Sequence, residues 1–149
     1  MNTTEDPIIL MVDDDEDDCL MVRDALAELN LPSVFRTVED GEELMSYLHR
    51  RGKFTDAPRP DLILLDLNMP RKDGREALEE LKGDNELRSI PVVVLTTSDS
   101  DTDIMRCYDL GGNAYVRKPA TYDALVEMMR AICTYWFQVV RLPPLEGSP

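Results

Sequence analysis

Apolar residues in this chain gather into short continuous runs, and most of the runs end in acid or hydroxyl. Ile8 to Val12 is β-rich and is followed at once by Asp13, Asp14 and Asp15, the pattern of a strand buried on both faces. Asp15 is placed to cap a helix, with Glu16, Asp17 and Asp18 at the positive end of its dipole. Cys19, Val22, Leu26 and Leu29 then recur at helical spacing. Pro32 interrupts the chain before a weaker strand, Val34 to Val38. The next predicted helix runs from about Asp40 to Arg51 and stops at Gly52. Lys53 to Pro60 reads as a loop.

The cleanest run comes next: Leu62 to Leu65, closed by Asp66. A helix is predicted over about Gly74 to Lys82, then a third buried run, Val92 to Leu95, closed by Thr96. A helix near Asp101 to Leu110 leads through Gly111 and Gly112 to a short strand, Ala114 to Arg117. The last helix spans about Thr121 to Val140, and Pro143 and Pro144 open a short tail. Strand and helix thus alternate five times. Doubly apolar strands joined by helices imply an α/β fold, a parallel sheet covered on both faces. Polar groups at the carboxyl ends of its central strands then converge on one crevice.

Length and composition sharpen this outline. The 149 residues suit one domain, with a core over about 7–140 and a tail over 141–149 too short for an output domain. A net charge of −14 argues against nucleic acid as a ligand, because phosphate backbones demand clustered Lys and Arg. Cys19, Cys107 and Cys133 are an odd count without a CxxC pair and lie in helical patterns, so buried free thiols are expected. With no basic-then-apolar leader and no run of membrane-spanning length, a cytoplasmic setting is expected.

The chemistry gathers at the crevice. Asp13 and Asp14 arrive from the first strand and Asp66 from the third. Carboxylates so placed repel one another unless a hard cation intervenes, and Mg²⁺ binds through a few carboxylates while keeping exchangeable waters. The plainer reading of Asp13 to Asp18 is an acidic helix start. A strand-terminal aspartate can also act as a carboxylate nucleophile. Thr96 ends the neighbouring strand and Lys118 follows the last one. Taken singly, each is an ordinary β-former or surface cation. Together they provide cation site, nucleophile, hydroxyl and ammonium, the parts phosphoryl transfer requires.

These motifs carry a resemblance. Val12-Asp13-Asp14, then Asp66-Leu67-Asn68-Met69-Pro70, then Thr96, then Tyr115 to Pro119 with their separations resemble the receiver domain of response regulators, over about residues 7–138. Val92 to Ser98, Pro58 to Asn68, Lys72 to Glu76 and the tail after Trp136 are most similar to single-domain regulators partnered with bacterial and cyanobacterial phytochrome histidine kinases. The resemblance implies a flavodoxin-like, doubly wound five-stranded sheet in the order 2-1-3-4-5. It implies that Asp66 accepts a phosphoryl group from a phosphohistidine on a partner kinase. Asp14 and Asp66 would ligate Mg²⁺, with the Asn68 carbonyl, and Asp13 would assist through water. Lys118 would pair with the phosphoryl oxygens, its bond to Pro119 being cis. Thr96 and Tyr115 would move in concert to switch a protein-binding face read by a downstream partner. The side chains of Asn68 and Ser98 would tune hydrolysis by the domain's own autophosphatase activity, the only catalysis expected. Thr97 departs from the smaller residue usual in the family and adds bulk on the donor's path.

His49 is the single histidine and sits beside Arg50 and Arg51, a solvated position, so the phosphodonor must come from elsewhere. The last helix carries two apolar stripes: Leu125, Met129, Ile132 and Trp136, and beside them Val126, Cys133, Phe137 and Val140. One stripe covers a sheet, so the second is expected to face a second copy in a homodimer involving this helix and the tail; the plainer reading is a wide core face with a few exposed apolar residues. Two other functions compete with the switch. One is a Mg²⁺-dependent small-molecule phosphatase or phosphotransferase, against which Asn68 stands where a second aspartate is usual; the other is a receiver-like interaction module that is not phosphorylated.

Overall fold

In a computed structural model, which describes residues 6–144, the alternation predicted from the sequence is present. β1 (Ile8–Val12), β2 (Val34–Val38), β3 (Leu62–Leu65), β4 (Val92–Thr96) and β5 (Ala114–Arg117) form one parallel sheet in the order β2-β1-β3-β4-β5. The helices between and after them are α1 (Glu16–Leu29), α2 (Gly41–Leu48), α3 (Gly74–Gly83), α4 (Asp101–Asp109) and α5 (Tyr122–Thr134). The part of the tail at 145–149 lies outside the described residues.

The runs are apolar throughout because both faces of the sheet are covered. Odd and even positions go to different cores. Leu10, Val12, Ile63, Leu65, Val92 and Val94 pack beneath α2 and α3. Ile9, Met11, Leu62, Leu64, Val93 and Leu95 pack against α1 and α5 on the other face. Register follows, with Met11 beside Leu64 and Leu65 beside Val94. The edge strands β2 and β5 bury less, as their mixed composition requires. All three cysteines are free and buried.

Helix ends obey local chemistry. Asp15, Asp40, Asp73, Ser100 and Thr121 each cap a helix through the side chain, and Asp73 with Glu76 completes a capping box. α2 ends earlier than Gly52 led us to expect. Arg50 adopts φ 56°, its N–H donates to Tyr47 O and that of Arg51 to Ser46 O, the Schellman closure without its usual glycine. After α5 the chain winds on as a π-helical segment, Tyr135–Val139, where Val140 N–H donates to Tyr135 O.

The second stripe of the last helix does not lie free as expected. Val126 and Cys133 are buried against α1 together with Leu125, Met129 and Ile132. The helix sits in the groove between the sheet and α1, so both stripes meet the protein's own core. The large apolar side chains exposed there are Tyr122 at the start of α5 and Tyr135 and Val139 on the π-helical segment. Among the described residues, no helix is long and apolar enough to cross a membrane.

Candidate functional site

The sheet order reverses between β1 and β3, and this is where a doubly wound sheet opens its crevice. Asp13 follows β1 and Asp66 follows β3, their backbones tied to the sheet by Asp13 N–H to Val38 O and Asp66 N–H to Val12 O. Asp13, Asp14 and Asp66 offer carboxylate oxygens that all lie within 4.8 Å of one another. Asp13 and Asp66 are buried and Asp14 is exposed at the mouth. Hard oxygen donors so gathered fit a divalent cation open to solvent on one side.

Lys118 reaches this cluster from the end of β5, where its N–H donates to Thr96 O. Its ammonium lies 2.7 Å from Asp13 Oδ2 and 2.7 Å from Asp18 Oδ2, but 3.6 Å from Asp66 Oδ2. One ammonium thus faces four carboxylates, counting Asp14, and leaves an excess of negative charge. Burial pushes the Asp13 carboxyl above its ordinary value, only partly offset by Lys118 and the Asp15 N–H. Burial works against the Lys118 charge as well, yet its bonds to Asp13 and Asp18 outweigh this and hold it above the usual lysine range. The ammonium is a permanent part of the site. The Lys118–Pro119 peptide, expected to be cis, is trans, as there are no cis bonds among the described residues; trans is favoured by about 0.5–1 kcal/mol for X–Pro bonds.

Thr96 is fully buried, and its Oγ1 has no hydrogen-bond partner. A buried hydroxyl left so costs stability in this state, and such a group calls for a use in another. Tyr115 is directed inward, its hydroxyl donating to Ser98 O at 2.8 Å. The Ser98 hydroxyl donates to Asp103 Oδ2 at 2.6 Å, so it is turned toward α4. Asp103 in turn accepts from Arg75 Nε at 3.0 Å, tying the loop after β4 to α3 and α4. Asn68 and Thr97 are exposed on the loops after β3 and β4.

The α3 side of the site is built by close approach. A Cβ on Gly74 would lie 2.2 Å from Asp66 O and 2.7 Å from Leu67 Cα, so only glycine lets α3 start there. The loop between them is held by Arg71, at φ 62°, whose guanidinium bonds the buried Asp40. Burial would raise the Asp40 carboxyl, but the Glu43 N–H and Arg71 overcome it and hold the group below its ordinary value.

The sequence reading therefore located the acids, Thr96, Tyr115 and Lys118, and missed Asp18, Asp40, Arg71 and the Arg75–Asp103 pair. Asp18 had read as a dipole acid of the first helical turn. Its partner lies 100 residues away, beyond any spacing rule. Asp103 reads locally in the same way.

The crevice thus combines a buried strand-end carboxylate 3.6 Å from an ammonium, an acidic cluster that fits a divalent cation, and an unpartnered hydroxyl at the end of the next strand. Residues 9–130 match the response regulator receiver domain, and the chain belongs to that family. It is similar to response regulator Rcp1 of Synechocystis, with 40% identity over 91% of this chain and 92% of that protein. The crystal structure of the phosphorylated cyanobacterial phytochrome response regulator RcpA superposes with a TM-score of 0.89 at 44% identity, covering 94% of this chain and all of that one. The Mn²⁺-bound form of Rcp1 superposes with a TM-score of 0.85 at 39% identity, covering 93% of this chain and 99% of that one. The protein is thus a receiver-class response regulator, and the small-molecule phosphatase reading is set aside.

Proposed function

We propose that the protein is a single-domain, cytoplasmic regulator that accepts a phosphoryl group on Asp66 from a phytochrome-type histidine kinase. The observation that carries this is the buried Thr96 hydroxyl, without a partner on a residue whose carbonyl accepts the Lys118 N–H, a donor kept for an acceptor that arrives later. An Asp66 carboxylate oxygen attacks phosphorus as the bond to the donor histidine nitrogen breaks, and that nitrogen keeps the electron pair. Asp14, Asp66 and the Asn68 carbonyl would hold Mg²⁺, with Asp13 assisting through water, and the ion would supply charge neutralisation. Lys118 pairs with the phosphoryl oxygens, and the Thr96 hydroxyl donates to one of them.

That donation draws in the loop carrying Ser98, on which Tyr115 and Asp103 rest, and so biases the face of α4, β5 and α5. Met105 and Tyr108, exposed on α4, are where a downstream protein would read the change. The phytochrome partnership rests on the likeness to the cyanobacterial phytochrome response regulator RcpA, and a homodimer through the last helix and tail rests on Tyr135 and Val139, which offer apolar surface there. Autophosphatase activity restores the resting state.

The test is incubation with Mg²⁺ and acetyl phosphate, which should give an acid-stable, base-labile adduct. Asp66→Asn abolishes it and Asp73→Asn, which keeps a capping side chain, does not. An adduct surviving in Asp66→Asn refutes the assignment. Sedimentation at tens of micromolar showing only monomer, phosphorylated or not, refutes the dimer.

A further inference from the structure

Asp18 has no part in the metal or acceptor roles above, yet it touches the residue on which they turn. The Lys118 ammonium has three N–H donors. Two lie 2.7 Å from Asp13 Oδ2 and Asp18 Oδ2, while Asp66 Oδ2, at 3.6 Å, is beyond hydrogen-bonding reach. The two partners differ in kind. Asp13 is buried, and its other oxygen accepts the Asp15 N–H, so it is a fixed anchor. Asp18 stands at the rim, its side chain 26% exposed, and can release the lysine to water. Its backbone is pinned, because its N–H donates to the capping carboxylate of Asp15. The first turn of α1 thus presents to Lys118 a rim carboxylate on a pinned backbone, closer to the ammonium than Asp66 is.

We propose that Asp18 is a positioning residue that holds Lys118 back from Asp66 and competes with the phosphoryl group for the ammonium, setting how readily the acceptor site fills. This rests on the reading of Asp66 as the acceptor. Asp18 makes and breaks no covalent bond. It divides the lysine's charge between the resting arrangement and the phosphorylated one, where the ammonium meets a more highly charged acceptor. Neutralising Asp18 frees Lys118, still anchored at Asp13, to lean toward Asp66. Positive charge rises there, so the divalent cation alone binds less well and the phosphoryl group is held more tightly. Loosening of α1 would act differently. Asp13 and Asp14 lead into that helix, so disorder there would weaken both ligands together.

The probes are Mg²⁺ alone and beryllofluoride at saturating Mg²⁺, titrated into the full chain and followed by amide and fluorine NMR. In Asp18→Asn the beryllofluoride dissociation constant should fall about threefold to tenfold, the range for a contact at a partly exposed carboxylate. The Mg²⁺ dissociation constant should rise in the same variant. Asp18→Glu, which restores the charge, should return both toward wild type. Asp17→Asn removes an equal charge from the same turn without touching Lys118 and should change neither. The proposal is overturned if Asp18→Asn leaves beryllofluoride binding unchanged or weakens it, or if Asp17→Asn reproduces its effect. Wild-type protein that is folded but binds no beryllofluoride would overturn the acceptor reading and the proposal with it.

Discussion

Two glycines in α3 should respond in opposite directions to the same substitution, to alanine. At Gly74 the new methyl would lie 2.2 Å from Asp66 O, whereas ordinary contact begins at 3.4 Å. The helix start must therefore retreat about 1.2 Å from the end of β3, the difference between those two distances. No rotamer change relieves the clash, because the nearest atoms, Asp66 O, Leu67 Cα and Asp66 C, all belong to the backbone. The retreat also stretches the bond from Gly74 N–H to Leu67 O, now 2.9 Å. Overpacking typically costs about 1–3 kcal/mol, and a rigid backbone neighbour places this case at the upper end. For a chain of this size that lowers Tm by about 6–12 °C, at about 2–4 °C per kcal/mol. Gly83, at the far end of the same helix, has nothing within 4 Å of its would-be Cβ. Alanine there gains up to about 1 kcal/mol of helix preference and lost unfolded-state freedom, and Tm should rise. Thermal and urea denaturation of both variants is the assay, with acetyl phosphate labelling as a second readout, since retreat of α3 disturbs Asp66, the proposed acceptor. A Gly74→Ala protein as stable as its parent, labelled at the parental rate, would refute the close-approach argument.

Thr96→Val removes a buried hydroxyl that has no partner, so the unphosphorylated protein should gain about 1 kcal/mol in urea unfolding. The same variant should lose the phosphorylation-dependent NMR shifts around Tyr115. Asp40 is held below its ordinary value in the fold, so its contribution is complete above the unfolded aspartate value, about 3.9. That contribution is lost as pH falls through the lower folded value. Asp40→Asn should therefore lower stability at neutral pH and flatten the acid limb of the stability profile, as measured by urea midpoints across pH. Mg²⁺ at a hundred times its dissociation constant should stabilise the protein by about 2.7 kcal/mol, and EDTA or Asp14→Asn should remove the gain in a thermal melt.

Much of this molecule was legible because its strands are buried on both faces. Runs such as Leu62 to Leu65 and Val92 to Leu95 cannot sit at a surface, and in a parallel sheet their polar last residues must meet at one edge. That placed Asp13, Asp66, Thr96 and Lys118 together with no knowledge of the contacts between them. Helix ends were less legible. Arg50 closes α2 in a conformation usually left to glycine, and the apolar pattern through Val140 runs on whether the chain winds as α or, from Tyr135, as π. The second stripe of the last helix misled because periodicity marks which side is apolar, not how many neighbours cover it, and α1 covers this one.

What stayed hidden was pairing across long separations. In a chain with a net charge of −14, cations are the scarce component, and each must choose among several acids. Composition counts the acids, and local pattern assigns them to caps and dipoles. Only the folded arrangement shows that Lys118 rests between Asp13 and Asp18, and not on Asp66. Strand ends decide which groups can take part in phosphoryl transfer. The division of one ammonium among competing carboxylates is what the proposal makes the measure of how far the resting protein stands from the phosphorylated one. On the proposal made for Asp18, charge on the first turn of α1 tunes that threshold while Asp66, the neighbouring Asp13 and Asp14 and the fold stay unchanged.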